Sequence, residues 1–75
     1  MPRLPTLKPR EVVRILEKLG YKQHRQKGSH LIMIKEDNTV CQPVIPMHNK
    51  DIRKATLLSI IKQAGLIKED FIKLL

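Results

Sequence analysis

The stretch Arg25-Gln26-Lys27-Gly28-Ser29-His30, followed directly by the apolar run Leu31-Ile32-Met33-Ile34, decides the fold of this chain. Glycine reaches positive φ without a steric penalty, so a Lys27-Gly28 pair suits a tight two-residue hairpin turn. The apolar run has the length and composition of a strand. The sequence therefore predicts a β-hairpin in which Gln26 pairs with Ser29 and Arg25 lies opposite His30.

Upstream of the hairpin, the sequence predicts a helix. Val12, Leu16 and Leu19 recur at helical spacing. Pro9 suits the first turn of a helix, where its missing N–H does no harm. Gly20 supplies a C-terminal stop. We expect this helix to present one apolar face to the rest of the chain.

Three strands are predicted between this helix and a second one. Residues 21–26 form a short edge strand. Residues 29–35 form the second strand, whose part from Leu31 to Lys35 is apolar on both faces and therefore central. After a turn at residues 36–39, residues 40–46 return as a third strand. Pro43 and Pro46 cannot donate ladder hydrogen bonds, which places this third strand at an edge or bulge of the sheet.

After a loop at residues 47–51, the sequence predicts a second helix that Gly65 ends. Its apolar stripe consists of Leu57, Ile60, Ile61 and Ala64. Residues 68–75 predict a last short helix, and its expected anchors are Phe71, Leu74 and Leu75. This order predicts an α+β fold with one three-stranded antiparallel sheet, helices on one face and the other face open.

The composition limits what the chain can be. Its 75 residues predict one small domain over positions 1–75, and 41% hydrophobic residues are enough for a core. No segment approaches the ~18 apolar residues of a membrane span, and the N-terminus lacks the apolar core of a signal peptide. The lone Cys41 excludes an intramolecular disulfide and a cysteine-based zinc site, which fits a cytoplasmic location.

The charge balance points to an anionic partner. Fifteen Lys and Arg residues against seven Asp and Glu residues give a net charge of +8. Between Lys18 and Lys35 every charged side chain is positive, so a phosphate backbone could lie along this part of the chain. The same charge would also suit an acidic protein partner. We expect no cofactor and no metal, because no zinc-finger spacing occurs and few carboxylates are present to converge on an ion.

These residues suggest cleavage of RNA without a metal. RNA carries its own nucleophile, the 2′-hydroxyl, so the protein must add a proton-transfer group and positive charge for the developing phosphorane. His30 is the candidate proton-transfer group, with Lys27 and Arg25 as electrostatic support. His24 should alternate to the opposite face from Arg25, so it ranks below His30 as the catalytic histidine. His48 lies in a loop and is a candidate second proton-transfer group or phosphate contact.

The predicted RNA-binding residues form a larger set than the catalytic one. They are Lys22, Arg25, Lys27, Ser29 and His48. Three of them, Lys22, Arg25 and Lys27, are lysines or arginines of the hairpin, where we expect them to contact phosphates.

The chain resembles the HicA toxins, also called the YcfA-like family, of type II toxin–antitoxin systems. The resemblance follows the order and spacing of several short segments. They are Glu11-Val12-Val13, Leu16-Glu17-Lys18-Leu19-Gly20-Tyr21, Arg25-Gln26-Lys27-Gly28-Ser29-His30, Val44-Ile45-Pro46-Met47-His48 and Thr56-Leu57-Leu58-Ser59-Ile60-Ile61-Lys62-Gln63-Ala64-Gly65-Leu66.

This resemblance implies a double-stranded-RNA-binding-domain-like fold and mRNA cleavage that depends on the histidine of the Gly-Ser-His motif, here His30. It also implies a HicB-type antitoxin that binds and covers the active face. Two other functions stay open at this point: a non-catalytic RNA-binding module, and a small adaptor whose positive charge serves an acidic protein.

Overall fold

A computed structural model describes residues 4–37 and 41–75. The described elements are α1 (Pro9–Lys18), β1 (Tyr21–Lys27), β2 (His30–Lys35), β3 (Val44–Pro46), α2 (Lys54–Gln63) and α3 (Lys68–Ile72). The strands form one antiparallel sheet in the order β1-β2-β3. The predicted α+β fold and the central place of the second strand are therefore confirmed.

Alternate positions of the sheet supply its core face. Leu31 and Met33 of β2 are buried, and Ile45 of β3, which lies opposite Leu31, is buried as well. The helices cover this face with the apolar stripes that their spacing predicted, and Phe71 of α3 completes the core. The other face carries Ile32, which is only half buried. The helices thus lie on one side, as the sequence predicted, and the second face stays open.

The hairpin exists, but its predicted register was wrong by one residue on each strand. Gly28 and Ser29 are the two turn residues, so Lys27 lies opposite His30 and Gln26 lies opposite Leu31. Gly28 has φ +60° and takes the first turn position, the place where type II′ turns need glycine. Arg25 consequently lies opposite Ile32, one pair further from the turn than expected.

A β-bulge interrupts β1 between Gln23 and Arg25. Before it, Tyr21 lies opposite Lys35 and Lys22 lies opposite Ile34; after it, Arg25 lies opposite Ile32. The extra residue, His24, changes which side chains face the core. Tyr21 is buried as a result, and its hydroxyl donates a hydrogen bond to the carbonyl of Ala64 over 2.7 Å.

The sequence also misplaced one strand boundary and one helix anchor. β3 begins at Val44 rather than at residue 40, because Pro43 has no N–H to donate, although its carbonyl still accepts a bond from the Met33 N–H over 3.0 Å. Residues 38–40, where part of the predicted turn and strand lay, fall outside the described residues. The last helix ends at Ile72, and Leu75 is 52% exposed rather than an anchor.

No helix in the described parts of the chain is long and apolar enough to cross a membrane.

Candidate active site

His30 and His48 line the same groove at one end of the sheet. His30 is the first residue of β2 and lies opposite Pro46, the last residue of β3. His48 follows Pro46 by two residues, and its N–H donates to the Pro46 carbonyl over 3.1 Å, which turns the chain back. The groove is open to solvent and has a volume of about 540 Å³. It is lined by His30, Val44, Pro46, His48, Lys50, Asp51, Ile52, Arg53 and Thr56.

The segment from Met47 to Arg53, here called the histidine loop, connects β3 to α2 and forms one wall of the groove. At its start, the Met47 N–H donates to the Ser29 carbonyl in the hairpin turn. Near its end, the Ile52 N–H donates to the Leu7 carbonyl over 2.8 Å, and the Ile52 side chain is only 4% exposed. The loop is therefore fastened to the hairpin at one end and to the chain before α1 at the other.

Lys8, just before α1, makes two further contacts with the histidine loop. Its Nζ donates to the carbonyl of Asn49 over 3.2 Å and lies 3.1 Å from Oδ1 of Asp51. The backbone of Lys8 is fixed in turn, because its N–H donates to Oε1 of Glu11 over 2.9 Å. A bond from the residue before a helix to the carboxylate of the third helical residue is typical of a helix N-terminus. The start of α1 thereby holds the middle of the loop.

Two cations in the groove were missed by the sequence interpretation. Lys50 belongs to the histidine loop, and Arg53 is the residue immediately before α2. Both are exposed and line the groove with the two histidines. Their signal in the sequence was a basic residue two and five positions after His48. Treating residues 47–51 only as a connection concealed that signal.

The predicted cations of the hairpin lie beside this groove on the open face. Lys27 lies opposite His30, so the Cβ atoms of this pair are expected about 4.5–5.5 Å apart. Arg25 and Lys22 follow along β1, opposite Ile32 and Ile34. Because of the bulge, all three cations occupy positions on the same face.

The Lys22 side chain already forms an ion pair with a carboxylate. Its Nζ lies 2.9 Å from Oε1 of Glu36, and both side chains are largely exposed. The hydrogen bond and the charge of Lys22 lower the pKa of Glu36, and the same contact raises the pKa of Lys22. A phosphate at this position would have to compete with a carboxylate. Lys22 is therefore a weaker candidate than Lys27.

The remaining predicted residues differ in their placement. Ser29 is exposed in the turn, and its carbonyl is the acceptor that holds Met47. His24 is exposed at the bulge and is not among the residues that line the groove. Of the three histidines, the groove brings together His30 and His48 and leaves out His24.

This arrangement suits proton transfer at an anionic centre. Imidazole is the side chain that most often transfers protons in general acid–base catalysis, and Lys50 and Arg53 can offset negative charge on a phosphate. Within residues 4–37 and 41–75, no group of three or more His, Cys, Asp or Glu side chains is placed to hold a metal ion.

Comparison with protein families gives a match over most of the chain. The model of the family described as "HicA toxin of bacterial toxin-antitoxin" matches residues 9–66, which contain α1, the whole sheet, the histidine loop and α2. No individual curated protein matches the sequence.

Proposed function

The chain belongs to the HicA family of bacterial toxin–antitoxin toxins, and we propose that it is an endoribonuclease that cleaves mRNA in the groove between His30 and His48. The observation that carries this proposal is the meeting of the two histidines with Lys50 and Arg53 in one open groove. His30 was the predicted catalytic group, and His48 was predicted as a second proton-transfer group or a phosphate contact. A second imidazole in the same groove supplies the partner that acid–base cleavage of RNA uses.

The proposed reaction is an attack by the 2′-hydroxyl of RNA on the adjacent phosphorus. One imidazole accepts the 2′-O–H proton as the O2′–P bond forms, and the other donates a proton to O5′ as the P–O5′ bond breaks. The products are a 2′,3′-cyclic phosphate and a 5′-hydroxyl. Lys50 and Arg53, with Lys27 nearby, stabilise the extra negative charge of the phosphorane.

The substrate class follows from this chemistry. DNA lacks the 2′-hydroxyl and should bind without being cut. The open face of the sheet offers a basic border, consisting of Arg25 and Lys27, beside the half-buried apolar side chains of Ile32 and Ile34. A single strand could place its phosphates on the border and its bases on the apolar part of this face. The charge of +8 supports an anionic substrate.

An antitoxin is the partner that a toxin–antitoxin family implies. We propose that it is a HicB-type protein with an acidic surface that covers the groove and the open face of the sheet, since these combine positive charge with accessible apolar side chains. Binding of antitoxin and RNA should then be mutually exclusive. A ternary complex seen by size-exclusion chromatography, with RNA affinity unchanged by the antitoxin, would contradict this mode of inhibition.

The cleavage proposal is tested with purified protein and a single-stranded RNA in excess EDTA. We expect cleavage to continue in EDTA and a 2′-deoxy substitution at the scissile position to block it. Replacing His30 by Ala should reduce the rate by about 10²–10⁴, the typical contribution of a positioned proton-transfer group. His24→Ala is the matched control, because it removes an exposed histidine outside the groove.

The possible outcomes separate the alternatives. Near-wild-type cleavage by folded His30→Ala protein, or cleavage of the 2′-deoxy substrate, would disprove the mechanism. RNA that is bound with strong salt dependence but never cut would favour the non-catalytic binding module. A protein that neither binds nor cuts RNA would leave the adaptor function.

A further inference from the structure

The groove contains one group that opposes its proposed use. Asp51 lines it together with Lys50 and Arg53, so a carboxylate stands where a phosphate is expected to bind. An uncompensated carboxylate would repel the substrate and offset one of the two cations. Like charges brought together at a binding surface weaken binding. A phosphate site with this composition needs another positive group to neutralise Asp51.

Lys8 is placed to supply that charge. Its Nζ lies 3.1 Å from Oδ1 of Asp51 but Lys8 is not among the residues that line the groove itself. It lies instead in an adjoining depression of about 440 Å³ with Pro9, Arg10, Met47, His48 and Asn49. The ammonium group therefore contacts Asp51 without belonging to the lining of the groove. It also donates to the Asn49 carbonyl, one residue after His48.

The Lys8–Asp51 ion pair adds little to the stability of the fold. About half of each side chain is exposed, at 55% for Lys8 and 49% for Asp51. Exposed ion pairs of this kind contribute little to folding stability. Ile52 and Leu7, which pair by backbone contacts next to it, already fasten the loop to the chain before α1. The contact is better explained by what it does to the charge of the groove.

We propose that Lys8 is a positioning residue for RNA binding: it neutralises Asp51 and draws this carboxylate away from the phosphate that Lys50 and Arg53 hold. This inference rests on the proposed function, because it takes the groove to be the RNA site. It makes one distinctive prediction. The loss of Lys8 should matter only while Asp51 carries a negative charge.

The experiment is a double-mutant cycle with Lys8→Met, Asp51→Asn and the double variant. Affinity for a labelled single-stranded RNA is measured by fluorescence anisotropy in a His30→Ala background, and kcat and KM are measured with His30 present. We expect Lys8→Met to raise Kd and KM about fivefold, the effect of one exposed charge interaction, with a smaller change in kcat. Asp51→Asn should bind RNA at least as well as the parent.

In the double variant, the RNA affinity should be within about twofold of that of Asp51→Asn alone. Twofold is about the error with which independent effects usually add, so a larger loss would mean that Lys8 acts without Asp51. Lys8→Arg should retain the parent affinity, since it keeps the charge. Lys73→Met, on the exposed surface of the last turn of the chain, controls for the loss of one positive charge elsewhere. Unchanged thermal unfolding of all variants confirms that the fold is intact.

The inference is overturned if Lys8→Met leaves Kd unchanged, if Lys73→Met weakens binding equally, or if Lys8→Met costs the same factor whether or not Asp51 is replaced. Failure of the proposed function is a different result. A wild-type protein that binds RNA and does not cut it would end the catalytic proposal, while the Kd cycle would still test Lys8.

Discussion

The two histidines of the groove are held in different ways. His30 is part of the central strand, with Lys27 opposite on one side and Pro46 opposite on the other. His48 lies outside the sheet, in a loop held by the Met47 bond to the turn, the Ile52 bond to Leu7 and the contacts of Lys8. The position of His30 is fixed by the backbone hydrogen bonds that β2 makes with both neighbouring strands. The position of His48 depends on a few contacts with distant parts of the chain.

This difference indicates where the site is vulnerable. Moving His30 requires the sheet to deform, which the packing of β2 against the core resists. The histidine loop is held by a few separate contacts, of which the Lys8 contacts are exposed, so displacing it would break fewer interactions than displacing a strand. If both imidazoles take part in the reaction, changes around His48 should alter activity more readily than they alter stability.

The largest expected effect comes from removing each imidazole in turn. His48→Ala and His30→Ala should each lower kcat/KM by about 10²–10⁴ and each remove one limb of a bell-shaped pH–rate profile. The double variant should be little worse than the poorer single variant, because the two groups act in one step. A His48→Ala protein with an unaltered pH–rate profile would show that His48 transfers no proton and that only His30 can do so.

A smaller effect is expected from loosening one holding element at a time. Ile52→Val and Ile45→Val remove the same methyl group from buried sites, one in the loop and one in β3. Each should lower the free energy of unfolding by about 0.5–1.5 kcal/mol in a urea titration. Only Ile52→Val should also reduce kcat/KM of the folded protein, with an upper limit of about 10²-fold for a misplacement of 1 Å.

Equal losses of activity in these two variants would show that the loop is no more sensitive than the sheet. The assay is run well below the urea midpoint of either protein, so that the folded fraction does not contribute to the difference.

The smallest expected effect concerns the cations that border the groove on β1. Each phosphate contact on single-stranded RNA contributes about −0.7 to the slope of log affinity against log salt. Lys27→Ala should make the slope shallower by about 0.7, whereas Lys22→Ala should change it less because Glu36 already occupies Lys22. Affinities measured across a salt series provide the slopes. Identical slopes for both variants would mean that the Glu36 pair breaks when RNA binds.

Much of the fold could be read from local patterns. The stripes of α1 and α2 identified their buried faces, and the apolar run after Gly28 identified the central strand. The turn was misplaced because Lys-Gly and Gly-Ser both supply a glycine to a two-residue turn. The choice between them depends on which position needs positive φ, and here the first position does.

The site was harder to predict than the fold. His30 could be chosen because it follows a turn and begins a strand, and His48 could be named only as a loop residue. Their meeting in one groove depends on the pairing of β2 with β3 and on the bond from the Ile52 N–H to the Leu7 carbonyl, which joins residues far apart along the chain. Local spacing carries no information about contacts of that range. Lys50 and Arg53 were missed for a different reason, because residues 47–51 were interpreted only as a connection.

The bulge in β1 has a consequence for how this strand can change over time. It divides the strand into two segments with independent alternation: the first is fixed by the burial of Tyr21, and the second by the exposure of Lys27 beside the groove. Deletion of residue 24 from the chain would leave the side chains of both segments on the sheet faces that they occupy now. Deletion of Gln26 would place Arg25 opposite Leu31, on the core face of the sheet. Position 24 is therefore the place where the strand can tolerate a deletion, and where related chains could differ in length without exchanging core for surface.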